Sequence, residues 1–155
     1  MKNCLIAFLL IFFQTVKSQS NDLVWYNDLN KAVPISIKND KPLLLFFTGS
    51  DWCGWCMRLK KEVFNYPEFK EWTDSNVVMV ELDFPRRKKI DSIILNQNRE
   101  LARIFGVSGY PTVWLVKPQI LESSKVNFLK LGKLGYVAGG PEKWISVAQK
   151  FLNQN

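Results

Sequence analysis

The sequence predicts an α/β sandwich, one mixed sheet with helices on both of its faces. Three observations carry that reading. Apolar runs of strand length recur at 41–47, 77–84 and 111–116. Stretches with helical caps or helical periodicity separate them. A hydrophobic content of 47% over 155 residues is enough for one compact core.

Taken in order, residues 28–39 are weakly helical, with Leu29, Ala32 and Val33 on one side and Pro34 as a misfit. "KPLLLFF" at 41–47 is a continuous apolar run between Pro42 and Gly49, the pattern of a strand buried on both faces. "GSDWCGWCMRLKKEVF" at 49–64 follows, and its cysteines open a helix containing Met57, Leu59 and Val63. Pro67 suits the first turn of another short helix. "VVMVELDF" at 77–84 is a second buried strand. Asp91 can cap a helix running to about Phe105, with Ile94, Leu95, Leu101 and Ile104 on its apolar face. "PTVWLV" at 111–116 is a third strand, and Val126 to Leu131 a fourth. The short gap between those two makes them antiparallel, hence the mixed sheet. Pro141 opens a last amphipathic helix containing Trp144, Ile145, Ala148 and Phe151.

The first twenty residues stand apart. Lys2 precedes an apolar run from Cys4 to Phe13, and a polar stretch with small side chains follows. This is the order of a secretory signal peptide at 1–18, cut after Ser18 or Ser20, ahead of a single domain over 19–155. The run stops at Gln14, short of the roughly 20 apolar residues that span a bilayer; retention as an uncleaved anchor is the other reading. Export assigns the chain to the periplasm or cell envelope. Two of the 21 basic residues, Lys2 and Lys17, lie in the signal, which leaves 19 against 14 acidic residues, a net of +5. The densest basic run, Arg86-Arg87-Lys88-Lys89, has neither interleaved aromatics nor a nucleic-acid motif. It is expected to be a solvated loop, with no nucleic acid as partner; attraction of acidic partners is the other reading.

Of the three cysteines, Cys4 lies in the signal, so any intramolecular disulfide of the mature chain joins Cys53 to Cys56. The pair admits three readings. Structural zinc needs about four ligands, and the sequence has no histidine and no further mature cysteine, so no metal and no cofactor is expected. A structural clip closing so short a loop constrains the unfolded chain little. Redox chemistry suits the position best. Free backbone N–H groups and the helix dipole stabilise a thiolate at a helix start, and a partner three residues on returns to the same face. Cys53 is then the nucleophile and Cys56 the thiol that resolves the mixed disulfide.

"FTGSDWCGWCMRLKKEVF" resembles the active site of the thioredoxin superfamily, a Trp-Cys-x-x-Cys opening a helix after a buried strand. The likeness continues through "VVMVELDF" to "GYPTVWLV", which resembles that family's cis-proline loop and the strand it enters. It extends from about Leu23 to Leu152, and its nearest branch is the secreted bacterial disulfide reductases and interchange proteins. The resemblance implies a thioredoxin-like three-layer sandwich. It implies that Cys53 and Cys56 form the redox-active disulfide and that Trp52 flanks it. It also implies that Pro111 is cis, with the Tyr110 backbone pairing with a substrate chain. Trp52 and Trp55 can equally be core aromatics; Trp55, between the cysteines, is the one expected at the surface.

Two positions depart from the family. The inner pair is Gly54-Trp55 where reducing thioredoxins carry Gly-Pro, which leaves reductant and isomerase unseparated. The family's buried acid, six residues before the first cysteine, is here Phe47. Glu81, in the neighbouring apolar strand, is the candidate replacement as proton acceptor for Cys56; pairing with a lysine, or reaching water at the strand end, is its other reading. Asp51 and Asp83 rank behind it. The expected activity is thiol–disulfide exchange on disulfide-containing exported proteins. A membrane partner would donate the electrons, and the chain, with no length for a dimerisation domain, would be a monomer. The alternatives are a cytochrome c maturation reductase and a non-catalytic thioredoxin-like peptide-binding module.

Overall fold

The computed structural model describes residues 22–122 and 125–154, so the signal-like segment lies outside the described residues. Five strands form one sheet in the order β1-β3-β2-β4-β5. At its centre is β2 (Leu43–Thr48), the run of apolar residues picked out in the sequence; all six of its residues are buried. Both of its faces are covered, which is what a strand without alternation requires. β2 pairs parallel with β3 (Val78–Asp83), and β3 pairs parallel with the two-residue β1 (Trp25–Tyr26). On the other side β4 (Thr112–Ile120) runs antiparallel to β2, and β5 (Val126–Leu134) antiparallel to β4. The mixed sheet is therefore as expected, while β1 is new: two residues are too few to show a period.

Alternation along β2 and β3 sorts the core into two. Leu44, Phe46 and Met79 face a layer that includes Cys56, Leu59, Phe64, Phe69 and Trp144. Leu43, Leu45, Phe47, Val78 and Val80 face the other layer, with Ala32, Val33, Leu101 and Phe105. The first layer is built by α2 (Gly54–Leu59), the π-helical turn Lys60–Phe64 that continues it, α3 (Pro67–Asn76) and α5 (Gly140–Leu152). The second is built by α1 (Leu29–Asn39) and α4 (Ser92–Ile104).

The caps account for most helix boundaries. Asp28 accepts from the Asn30 N–H at 2.9 Å to start α1, and Asp40, at φ 49°, ends it in the left-handed region. Asp91 accepts from the N–H groups of Ile93 and Ile94 at 2.7 and 3.3 Å to start α4. Pro67 occupies the first turn of α3, where its missing N–H costs nothing. Pro34 does lie inside α1. It is tolerated because Pro34 and Asn30, whose carbonyl loses its donor, are both exposed and water can replace the bond. Ile93 and Ile104 of α4 also stay exposed, at 74% and 46%, so its apolar face is narrower than its sequence suggests.

The β4–β5 ladder contains one irregularity. Leu115 pairs with Gly132 but Val116 with Lys130, so Leu131 is an extra residue in the edge strand. Among the described residues no helix is long and apolar enough to cross a membrane.

Candidate active site

β2 delivers the chain to the cysteines through the short loop 49–52. Cys53 is the N-cap of α2, and its Sγ accepts from the Cys56 N–H at 3.2 Å. A disulfide joins the two residues, with S–S 2.17 Å and Cα–Cα 5.3 Å. Cys53 is 6% exposed and Cys56 1%, so the first is the less deeply buried of two shielded residues. A backbone donor aimed at Cys53 Sγ favours negative charge on that sulfur when the bond is reduced.

Aromatic side chains frame the pair on both sides. Trp52 Nε1 donates to the Phe84 carbonyl at 2.7 Å, and its ring meets Tyr110 edge-on at 5.7 Å. A Cβ at Gly49 would lie 2.4 Å from that indole, so only glycine lets Trp52 lie back over the loop. Tyr110 precedes Pro111, and the bond between them is cis. Phe47 pairs with Thr112 across the sheet, which puts the proline loop just beyond the carboxyl end of β2. Trp55 is 56% exposed. Its ring is 5.3 Å from Tyr136, and the Arg58 guanidinium lies over both rings at 5.3 and 5.2 Å. Glu62 fixes this group, bonding Arg58 at 2.8 Å and accepting from the Tyr136 hydroxyl. The Tyr136 bond and then that of Arg58 hold the Glu62 carboxyl below its usual range.

Two carboxylates tie a distant loop to the segment before Cys53. Asp83 is buried and accepts from the Ser50 N–H and hydroxyl at 2.8 and 2.6 Å; Lys88 bonds it at 3.0 Å. Asp51 accepts from the backbone N–H groups of Arg86, Arg87 and Lys88 at 2.9, 2.7 and 3.0 Å. The basic run is thus exposed in its side chains, as expected of a solvated loop, but its backbone is fastened to the active-site loop.

The Arg86 amide, with those of Arg87 and Lys88, lowers the Asp51 pKa to about 2 from 3.8, against a smaller opposing effect of burial. A depressed carboxylate pKa adds stability that is complete above the unfolded value and is lost as pH falls through the folded one. The amide signals of residues 86–88 should therefore titrate with a midpoint near pH 2 in NMR. A midpoint near pH 4, the ordinary carboxylate range, would refute the cradle.

Glu81 lies on the cysteine side of the sheet, level with Phe46. Its Oε1 accepts from Lys60, one turn beyond Cys56 on the same helical stretch. The lysine pairing foreseen for Glu81 is present, and the carboxylate is beneath the helical stretch that carries Cys56. Sequence reasoning missed the parts played by Arg58, Tyr136, Ser50 and Arg86. Asp51, next to the Trp-Cys pair, was the one local signal; Tyr136 lies between strand and helix with no motif around it.

Residues 29–120 match the family described as thioredoxin-like domain. The disulfide bond reductase DsbH of Chlamydia pneumoniae is 30% identical over 125 residues, covering 81% of this chain and 75% of that protein. The solved structure of a DsbH oxidoreductase is similar with a TM-score of 0.75 at 27% identity, covering 97% of this chain and 96% of the other. A thioredoxin from Thermus thermophilus has the same fold, with a TM-score of 0.61 at 16% identity over 84% and 87% of the two chains.

Proposed function

The chain belongs to the thioredoxin-like domain family and is a thiol–disulfide oxidoreductase, and we propose that it works as a reductant of disulfides in exported proteins. One observation carries the direction of attack. The Cys56 N–H points at Cys53 Sγ from the first turn of α2, so Cys53 is the sulfur best able to hold a negative charge.

The steps follow from that assignment. The Cys53 thiolate attacks one sulfur of a client disulfide, a Cys53–client bond forms, and the other client sulfur leaves as a thiolate that takes up a proton. Cys56, losing its own proton, then attacks Cys53 Sγ and releases the second client thiol. The client gains two electrons and two protons, and the protein ends with the Cys53–Cys56 disulfide. Recharging requires an external dithiol, which in an exported protein points to a membrane-bound donor. Trp52, Trp55, Tyr110 and Pro111 form the rim along which the client chain lies. The reductase name of the 30% identical relative supports the reducing direction, and the signal-like segment 1–18 supports export.

The proton of Cys56 is assigned to Glu81, through its place beside Lys60 under the helix. Glu81→Gln is expected to slow release of a Cys53 mixed disulfide about tenfold, below the ~10²–10⁴ of a full general base, because Lys60 already engages Oε1. An unchanged rate from pH 6 to 9 would remove Glu81 from the mechanism.

Client capture tests the function itself. A Cys56→Ser chain expressed with its leader should accumulate mixed disulfides with exported proteins, resolved by reducing agent on a gel. Capture of cytochrome c apoproteins alone would favour the maturation reductase, and capture of nothing the non-catalytic module.

A further inference from the structure

The loop Arg86–Lys89 presents four cations beside the dithiol. Lys88 is matched by Asp83. Among the described residues no ion pair engages the side chains of Arg86, Arg87 or Lys89, and all three are exposed. Arg86 differs from its neighbours in being held. Its backbone N–H is bonded to Asp51, and its guanidinium lies 3.8 Å from the centroid of the Trp52 ring. Asp51, which accepts the Arg86 backbone N–H, has its two oxygens shared among three backbone donors. A guanidinium stacked on an aromatic face keeps the N–H groups of its edge free for a planar carboxylate. Because the stack fixes its position, little side-chain freedom is lost on binding.

Its place gives that arrangement a use. Trp52 is bonded directly to Cys53 in the chain and touches Tyr110, the residue before Pro111. A client strand passing along Tyr110 toward Cys53 must pass the Trp52–Arg86 stack. We infer that Arg86 is a specificity residue that binds an aspartate or glutamate of the client within about three residues of its reacting cysteine, so that acidic disulfide segments are preferred. The inference rests on the reductant reading above. Arg87 and Lys89 add attraction at longer range, while Arg86 supplies the contact.

Three short peptides test this. Each carries one cysteine as a mixed disulfide with thionitrobenzoate, flanked on both sides by glutamate, by glutamine or by lysine. The reduced protein attacks the disulfide, thionitrobenzoate leaves as a coloured thiolate, and Cys56 then frees the peptide thiol while the protein disulfide forms. We expect the glutamate peptide to react about tenfold faster than the glutamine peptide in low salt, with most of that ratio surviving at about 0.5 M salt because the contact is direct. Arg86→Gln should bring the ratio to about two, mainly through KM. Since the readout is a ratio of two peptides on one protein, a general loss of activity does not move it. Arg86→Lys should recover little of the preference, because an ammonium lacks the planar fork.

Equal rates for the three peptides would overturn the inference and leave the reductant reading standing. A loss of preference as large in the double variant Arg87→Gln, Lys89→Gln as in Arg86→Gln would assign it to loop charge and overturn the Arg86 contact. No colour release from any peptide would overturn the reductant reading and the inference together.

Discussion

Cys53→Ser is expected to bring insulin reduction down to background, a loss of at least about 10³-fold, because a serine hydroxyl does not ionise near neutral pH and cannot open a disulfide. Cys56→Ser should behave differently. It retains the first attack and lacks the second, so it stops after one event with the client bonded to Cys53. The geometry supplies the asymmetry: the Cys56 amide is directed at the other sulfur, and Cys56 is the deeper of the two at 1% exposure. Alkylation of the reduced protein at pH 7 should accordingly label Cys53 at least about tenfold faster than Cys56, read by mass spectrometry of the tryptic peptides. Equal labelling, or activity that survives without Cys53, would reverse the assignment.

Trp144→Ala should cost the most stability of any single substitution in the cysteine-side layer. The side chain is fully buried. It meets Phe64 and Phe69 at 5.6 Å and Trp72 at 6.1 Å between ring centroids. Its Nε1 donates to the Gly135 carbonyl at 3.0 Å. Truncation removes that donor and opens a cavity among aromatic rings that cannot close over it. Such changes cost about 3–5 kcal/mol, and at about 2–4 °C per kcal/mol for a chain of this size the melting temperature should fall by about 6–20 °C. Trp144→Phe, which keeps most of the ring volume, should cost less than half as much in urea unfolding. A loss under about 1 kcal/mol for the alanine variant would mean that the aromatic layer repacks freely.

What could be read from the sequence was whatever depends on neighbours in the chain. An unbroken apolar run must be a strand covered on both faces, so β2 and β3 were visible. A cysteine just after such a strand marks a helix start, and Pro67, Asp91 and Pro141 announce helices through backbone chemistry that needs no tertiary context. The missed features depend on contacts between distant residues. Trp25–Tyr26 is a strand only because Met79 and Val80 lie beside it. Asp51 is separated from its amide donors by 35 to 37 residues, so its place beside the Trp-Cys pair marks the position but not the partners. Arg58 and Glu62 show helical spacing, but Tyr136, 74 residues beyond Glu62, links their pair to the Trp55 ring. Pro34 argued against a helix on local grounds, and solvent at Asn30 outweighed it.

The edge strand has a consequence for life in a crowded compartment. A long outer strand is a template on which another chain can add by backbone pairing, and β5 is nine residues long. Leu131, the extra residue, breaks the flat run of donors and acceptors at its middle. Lys130 and Lys133 within it, and Lys125 just before it, place positive charge along the edge, so that two such edges repel each other. At the opposite border β1 is two residues long and has little backbone to offer. The sheet therefore resists self-association at both borders. Thiol–disulfide exchange passes through covalent adducts, and an open border would let an adduct's strands add to the sheet. With both borders blunted, the sheet offers little backbone for pairing outside the Cys53–Cys56 end of the molecule.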